Sequence, residues 1–192
     1  MIRQVQDDTR EEAMARMLEL KLSGKRSGFD ASDEHGNRFE LKTTTKKAVT
    51  TARDVGPEYF ARLRTQYMIA ARGQNTDYGF SFEDIYFLHP DDLEGWIQRY
   101  ETRLSGDWDV VERAHGALKA LGACLKTLER LMAIGRRGIT LNNPKIPWQF
   151  IAENGTRLGK HPSLDLRELV AARPLRASGA DSSTDADEPA PK

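Results

Sequence analysis

The chain has 192 residues, enough for one domain with a substantial core and an attachment. Its 29 Lys plus Arg balance 29 Asp plus Glu, and no apolar run approaches the roughly 20 residues of a membrane-spanning helix. The lone Cys124 excludes a disulfide framework, and with charged residues close behind Met1 rather than a secretory signal, a reducing cytoplasm is the expected location.

Elements follow in chain order. Asp8–Leu22 carries Ala13, Met14, Met17 and Leu18 at helical spacing. Phe29–Ser32 and Arg38–Thr44 read as two strands joined by the polar turn Asp33-Glu34-His35-Gly36-Asn37. A short helix is expected from Pro57 to Arg64, then two aromatic-rich strands, Tyr67–Ala71 and Tyr78–Leu88. His89-Pro90-Asp91-Asp92 opens another helix, with Trp96, Ile97, Tyr100 and Leu104 on its inner face. Ser105-Gly106-Asp107 should close it, and a separate long helix should run from about Asp109 to Ile134. Along it Val111, Ala114, Leu118, Leu121, Leu125, Leu128 and Met132 step by alternating threes and fours. Such a stripe serves either its own domain or a seam between two protomers. Residues 177–192 hold four acids, one Lys and no large apolar side chain, so they read as a disordered acidic tail on a body (residues 1–176) of net charge +3. The fold class expected is α/β (α+β), a mixed sheet flanked by helices.

His35, His89, His115 and His161 lack metal-ligand spacing, and no nucleophile triad, phosphate-binding glycine loop or dinucleotide fingerprint is visible. Cys124, beside the stripe, reads as a small buried hydrophobe. One constellation remains. Glu40 and Lys42 alternate onto one side of the second hairpin strand, and the turn folds Asp30 back beside them. Two carboxylates suit Mg²⁺, and an adjacent amine can orient or help deprotonate an attacking water, which together make a phosphodiesterase. An E-x-K triplet alone usually marks a solvated strand face, but here the polar, basic Thr43–Lys47 follows, suited to a phosphate backbone.

The stretch Gly28–Lys42, with Asp30, Glu40 and Lys42, resembles the active-site hairpin of the PD-(D/E)xK nucleases, and within them the PvuII-like type II restriction endonucleases. Leu141-Asn142-Asn143-Pro144-Lys145-Ile146-Pro147, followed by Glu153-Asn154-Gly155-Thr156, is similar to the same family in the right chain order. Together these resemblances cover roughly residues 11–104 and 140–158.

The resemblance implies a restriction-endonuclease-like fold with an inserted segment at about residues 105–139. It further implies Mg²⁺ on Asp30, Glu40 and the Leu41 carbonyl, and Lys42 aligning the attacking water. The implied activity is hydrolysis of double-stranded DNA at a short palindrome, leaving 5′-phosphate and 3′-hydroxyl ends. A homodimer, a cognate DNA methyltransferase and a prokaryotic cytoplasm come with it. Asn142 and Asn143 would sit near the bases, where Asn pairs bidentately with adenine, with Lys145 beside them; a self-bonded turn is the plain alternative. Where the family has a run of histidines, this chain has Thr51-Ala52-Arg53-Asp54, whose Arg53 and Asp54 can read guanine and cytosine or simply pair with each other. Thr43 and Thr51 complete the expected DNA-contacting set. Arg62 and Arg64 read as phosphate contacts or solvated charges, and Glu12 and Glu19 as surface acids that could lean into the site. The shortened N-terminal arm moves the expected dimer seam to the striped helix. Rival readings are a junction- or lesion-selective nuclease of the same fold and a DNA-binding module without cleavage.

Overall fold

The structure, a computed structural model, describes residues 2–24, 28–52, 55–77, 79–120 and 144–175. In order these form α1 (Ile2–Met17), β1 (Lys21–Leu22), β2 (Ala31–Ser32), β3 (Arg38–Thr44), β4 (Ala48–Thr50), α2 (Pro57–Leu63), β5 (Tyr67–Thr76), β6 (Gly79–Leu88) and α3 (Pro90–Ala120). After residue 143 come β7 (Lys145–Pro147), α4 (Trp148–Asn154), β8 (Thr156–Arg157) and α5 (Pro162–Ala172). A six-stranded sheet runs β1-β2-β3-β5-β6-β8, parallel between β3 and β5 and antiparallel elsewhere; β4 and β7 pair as a separate antiparallel ribbon. This is the expected mixed sheet with helices on both faces.

Alternation along the strands feeds two cores. Met68, Ala70 and Leu88 pack with Phe60 and Leu63 of α2, Trp96 and Ile97 of α3 and Ile151 of α4. On the opposite face Leu41, Ile69 and Phe87 meet Met14 and Leu18 from α1 and its end, and Leu166 of α5. Burying each such side chain favours folding by roughly 1.5–3 kcal/mol before entropy is counted. β3, covered on both faces and paired on both edges, is therefore held firmly.

Three helix boundaries differ from expectation, the first being that α1 begins at Ile2, six residues before Asp8. α1 stops at Met17, not Leu22. Glu19 adopts φ 58, Leu20 N–H bonds the Ala15 carbonyl (2.8 Å) and Glu19 N–H that of Arg16 (3.2 Å), a Schellman-type end that releases Lys21–Leu22 to pair with β2. The expected break at Ser105-Gly106-Asp107 does not occur: α3 runs through it. The Ser105 hydroxyl donates back to the Thr102 carbonyl (3.0 Å), and one exposed glycine costs a helix only about 1 kcal/mol. The start of α3 is well determined. Pro90 occupies its first position, Asp92 Oδ2 accepts the His89 N–H (2.9 Å), and Arg173 grips the Asp92 carboxylate with both terminal nitrogens (2.7 and 2.8 Å). Leu121, Cys124, Leu125, Leu128, Met132 and the acidic tail lie outside the described residues.

Two glycines give opposite expectations. A Cβ at Gly73, at the β5–β6 register shift, would come within 2.0 Å of the Ser81 carbonyl oxygen, whereas one at Gly106 meets nothing within 4 Å. Gly73→Ala should destabilise by about 1–3 kcal/mol or more and Gly106→Ala should stabilise by about 0.5–1 kcal/mol. Urea unfolding of the two variants measures both.

Candidate active site

The β2–β3 hairpin sets the geometry. Asp33 Oδ1 accepts the backbone N–H groups of His35 and Asn37, and Gly36 takes φ 82, so the turn is fixed by its own residues. The register Ala31↔Phe39 then brings Asp30 opposite Glu40, where Asp30 N–H donates to the Phe39 carbonyl (2.9 Å) and Asp30 Oδ2 accepts the Leu41 N–H (2.8 Å). Glu40 and Lys42 emerge on the face shared with Met68 and Ala70, beneath α2.

Three oxygens converge on one cationic atom. Lys42 Nζ lies 2.8 Å from Glu40 Oε1, 2.9 Å from the Leu41 carbonyl and 3.3 Å from Asp30 Oδ2. An ammonium thus rests among the same oxygens that a hard divalent cation would take, so the donor set, all oxygen and doubly anionic, fits such an ion. Among the described residues no three His, Cys, Asp or Glu side chains gather into a metal-holding group, and the third oxygen here is a backbone carbonyl. Glu40 is only 5% exposed. Burial alone would push the Lys42 ammonium down, but Glu40 and then Asp30 outweigh it, and the amine is held well above its usual range.

Three further groups belong to this site and escape the local sequence pattern. Gln66, 2% exposed, donates from Nε2 to Glu40 Oε2 (3.0 Å) from the residue before β5. Tyr59 of α2 is pushed up to about 12 by burial first and the Glu40 carboxylate second, against Lys42, so its phenol stays neutral. Glu11 of α1 adds a negative charge felt by Lys42. Glu12 and Glu19 are the surface acids the sequence suggested and do not lean into the site: Glu12 pairs with Arg16, and Glu19 with Arg167. Local signals were slight, a polar residue abutting an apolar strand for Gln66 and an aromatic on a short helix for Tyr59.

The DNA-contacting candidates divide. β4 and β7 pair Val49 with Ile146 and Thr50 with Lys145, and Thr51 donates its N–H (3.1 Å) and hydroxyl (2.7 Å) to the Pro144 carbonyl. The chain segments leading to 53–54 and from 142–143 are therefore held side by side, although Arg53, Asp54, Asn142 and Asn143 themselves lie outside the described residues. Lys145 is exposed at the ribbon, while Thr51 is buried and spends its hydroxyl on holding it. Thr43 shares the Leu41 face of β3, opposite Lys42. Beyond the C-terminal end of β3 an open polar groove of about 630 Å³ is lined by Thr45, Lys46, Lys47, Arg72, Gln74 and Asn75. Arg62 stacks over Tyr59.

Arg64 is no phosphate contact here. It forks onto Glu94 (Nε and Nη2, both 2.9 Å) and Glu101 (2.8 and 2.7 Å), clamping α2 to α3. These bonds lower the Glu94 carboxyl from its usual range. A depressed carboxylate contributes stability that is present above the unfolded value and lost as pH falls through the folded one. Arg64→Ala should therefore melt lower than the parent near neutral pH and converge with it in acid, below the carboxylate range. A gap in melting temperature that does not change with pH would mean the clamp acts through packing alone.

One comparison with known proteins bears on this geometry. A family model described as restriction endonuclease PvuII matches residues 2–113, more than half of the chain and the whole of the Asp30–Lys42 hairpin. The Asn142–Pro147 string lies beyond the matched range.

Proposed function

The chain belongs to the restriction endonuclease PvuII family and is a type II site-specific deoxyribonuclease; from that premise we propose that it hydrolyses double-stranded DNA at a short palindrome in a Mg²⁺-dependent reaction, with Asp30, Glu40 and Lys42 as its catalytic residues. Restriction endonucleases of this family generally use a divalent metal. The observation that carries the proposal is the convergence of Asp30 Oδ2, Glu40 Oε1 and the Leu41 carbonyl within 3.3 Å of a single cationic atom at the end of β3.

Asp30, Glu40 and the Leu41 carbonyl would hold the cation. When bound, Mg²⁺ supplies charge to the scissile phosphate and lowers the pKa of water. Lys42 orients the attacking water and balances charge as it builds on the phosphate oxygens. Water adds in line to phosphorus while the bond to the 3′ oxygen breaks, giving a 5′-phosphate and, after protonation, a 3′-hydroxyl. Gln66 keeps the second Glu40 oxygen occupied, so the carboxylate stays aimed at the site. A two-stranded ribbon is of a size to enter the major groove. On this reading Arg53, Asp54, Asn142 and Asn143 read bases from the β4–β7 ribbon, and Lys145, Lys46 and Lys47 meet phosphates. A DNA-binding module without cleavage has no use for the buried Glu40. A methyltransferase protecting the same sequence, in a bacterial cytoplasm, completes the proposal.

Cutting both strands of a palindrome needs two sites related by a two-fold axis, and we assign the seam to the striped helix. α3 continues for about 24 Å beyond Leu104 at ~1.5 Å per residue. Leu104 is buried, whereas Ala114, Ala117 and Ala120 beyond it are exposed.

Digestion of a sequenced plasmid with Mg²⁺, with an EDTA control, should give discrete fragments whose ends share one palindrome. Lys42→Ala should abolish that cleavage and leave specific binding largely intact. Heterogeneous ends, or lost binding with residual cutting, would contradict the assignment. Replacing Leu121 and Leu125 together by Glu should give a monomer in sedimentation; an unchanged dimer removes the seam from this helix.

A further inference from the structure

The reading above uses Lys42 but leaves open what holds its amine once the neighbouring oxygens are engaged. Lys42 Nζ now donates to the Leu41 carbonyl and Asp30 Oδ2 and pairs with Glu40 Oε1. Those are the oxygens assigned to a divalent cation. An amine that gives them up needs another acceptor within the swing of its own side chain, and Val49, Phe60 and Leu63 on the covering face of the core offer none.

Tyr59 offers one. Its side chain is 6% exposed, set edge-on to Phe60 (5.7 Å) and beneath the Arg62 guanidinium (5.2 Å). The hydroxyl oxygen is sealed from solvent and, among the described residues, has no partner at hydrogen-bond geometry. The Thr51 hydroxyl and the Ala52 amide approach it without a bond of normal geometry, and Thr51 Oγ1 is already committed to the Pro144 carbonyl. The charged groups acting on the phenol are Glu40 and Lys42, which project from β3 on the face that α2 covers. A buried hydroxyl without a partner costs stability that phenylalanine would not forfeit in the same space. Such a group is explained if its partner arrives during function.

We propose that Tyr59 is a positioning residue for Lys42: its hydroxyl accepts a hydrogen bond from the Lys42 amine when Asp30, Glu40 and Leu41 turn to a divalent cation, and so keeps that amine beside the scissile phosphate. The inference rests on the nuclease reading and goes beyond it by naming the group that governs where Lys42 works.

The test compares the full chain with its Tyr59→Phe variant. Melting temperature, Mg²⁺ affinity by calorimetry without DNA, duplex affinity in Ca²⁺ and single-turnover cleavage are measured on both. Melting should be unchanged or higher and duplex affinity unchanged, while Mg²⁺ binds several-fold more weakly and cleavage slows about 10- to 100-fold. Unaltered Mg²⁺ affinity overturns the inference whatever the cleavage rate, and so does a parallel loss of melting temperature or duplex affinity, which would mark Tyr59 as structural. A parent chain that neither binds Mg²⁺ nor cleaves would instead sink the nuclease reading itself.

Discussion

Glu40 is a carboxylate inside the central sheet, 5% exposed, and the surrounding structure is organised by the need to compensate it. An unpaired carboxylate at that depth costs several kcal/mol. Lys42, two residues on, answers with its ammonium, and Gln66 with an amide hydrogen from the far side of the β3–β5 crossover. The compensation works only because β3 is immobilised. It pairs with β2 on one edge and β5 on the other, Leu41 is sunk in the core behind it, and α2 lies across its front. Asp30 joins through the turn, which the Asp33 side chain and Gly36 close without help from the rest of the fold. The same burial that makes Glu40 hold the Lys42 ammonium leaves it suited to a cation of another kind.

The Asp30–Glu40–Lys42 cluster and the ribbon are built as one piece. Only the residues between Thr44 and Ala48 separate β3 from β4, and the Thr44 hydroxyl closes that turn by donating to the Ala48 carbonyl (2.8 Å). β7 arrives from nearly a hundred residues away, yet Ile146 sits fully buried in the core with Val49, and Trp96 Nε1 donates to the Lys145 carbonyl (3.1 Å). The base of the ribbon is thereby rigid with respect to Lys42.

The clustering of Asp30, Glu40 and Lys42 was legible because it is local. Turn chemistry and strand alternation bring Asp30, Glu40 and Lys42 together with no knowledge of the rest of the fold, and the family match includes them. Tyr59 and Gln66 were not legible, because both reach the site across the β3–β5 crossover, and periodicity within a segment carries no such contact. Arg64 illustrates the reverse error: a cation at a helix end reads as exposed, but two glutamates seven residues apart on α3 capture it. The boundary at Met17 was missed for a third reason. Helical spacing continues to Leu22, but the pairing of Lys21 and Leu22 with Ser32 and Ala31 outweighs it once Glu19 turns the chain.

Assembly meets a constraint from the apolar surface left over. The inward stripe of α1 is consumed, with Met14, Ala15 and Leu18 buried against the sheet, and α5 is consumed likewise through Leu166 and Val170. Among the described residues the only exposed large hydrophobics are Leu22 and Leu164, single side chains rather than a patch. A stable two-fold interface needs a contiguous apolar centre. The described part of the body offers none, whereas the heptad stripe begins on α3 at Val111 and continues in the sequence to Met132. Over its first half α3 commits Leu93, Trp96, Ile97 and Leu104 to the core, while Ala114, Ala117 and Ala120 further along are exposed.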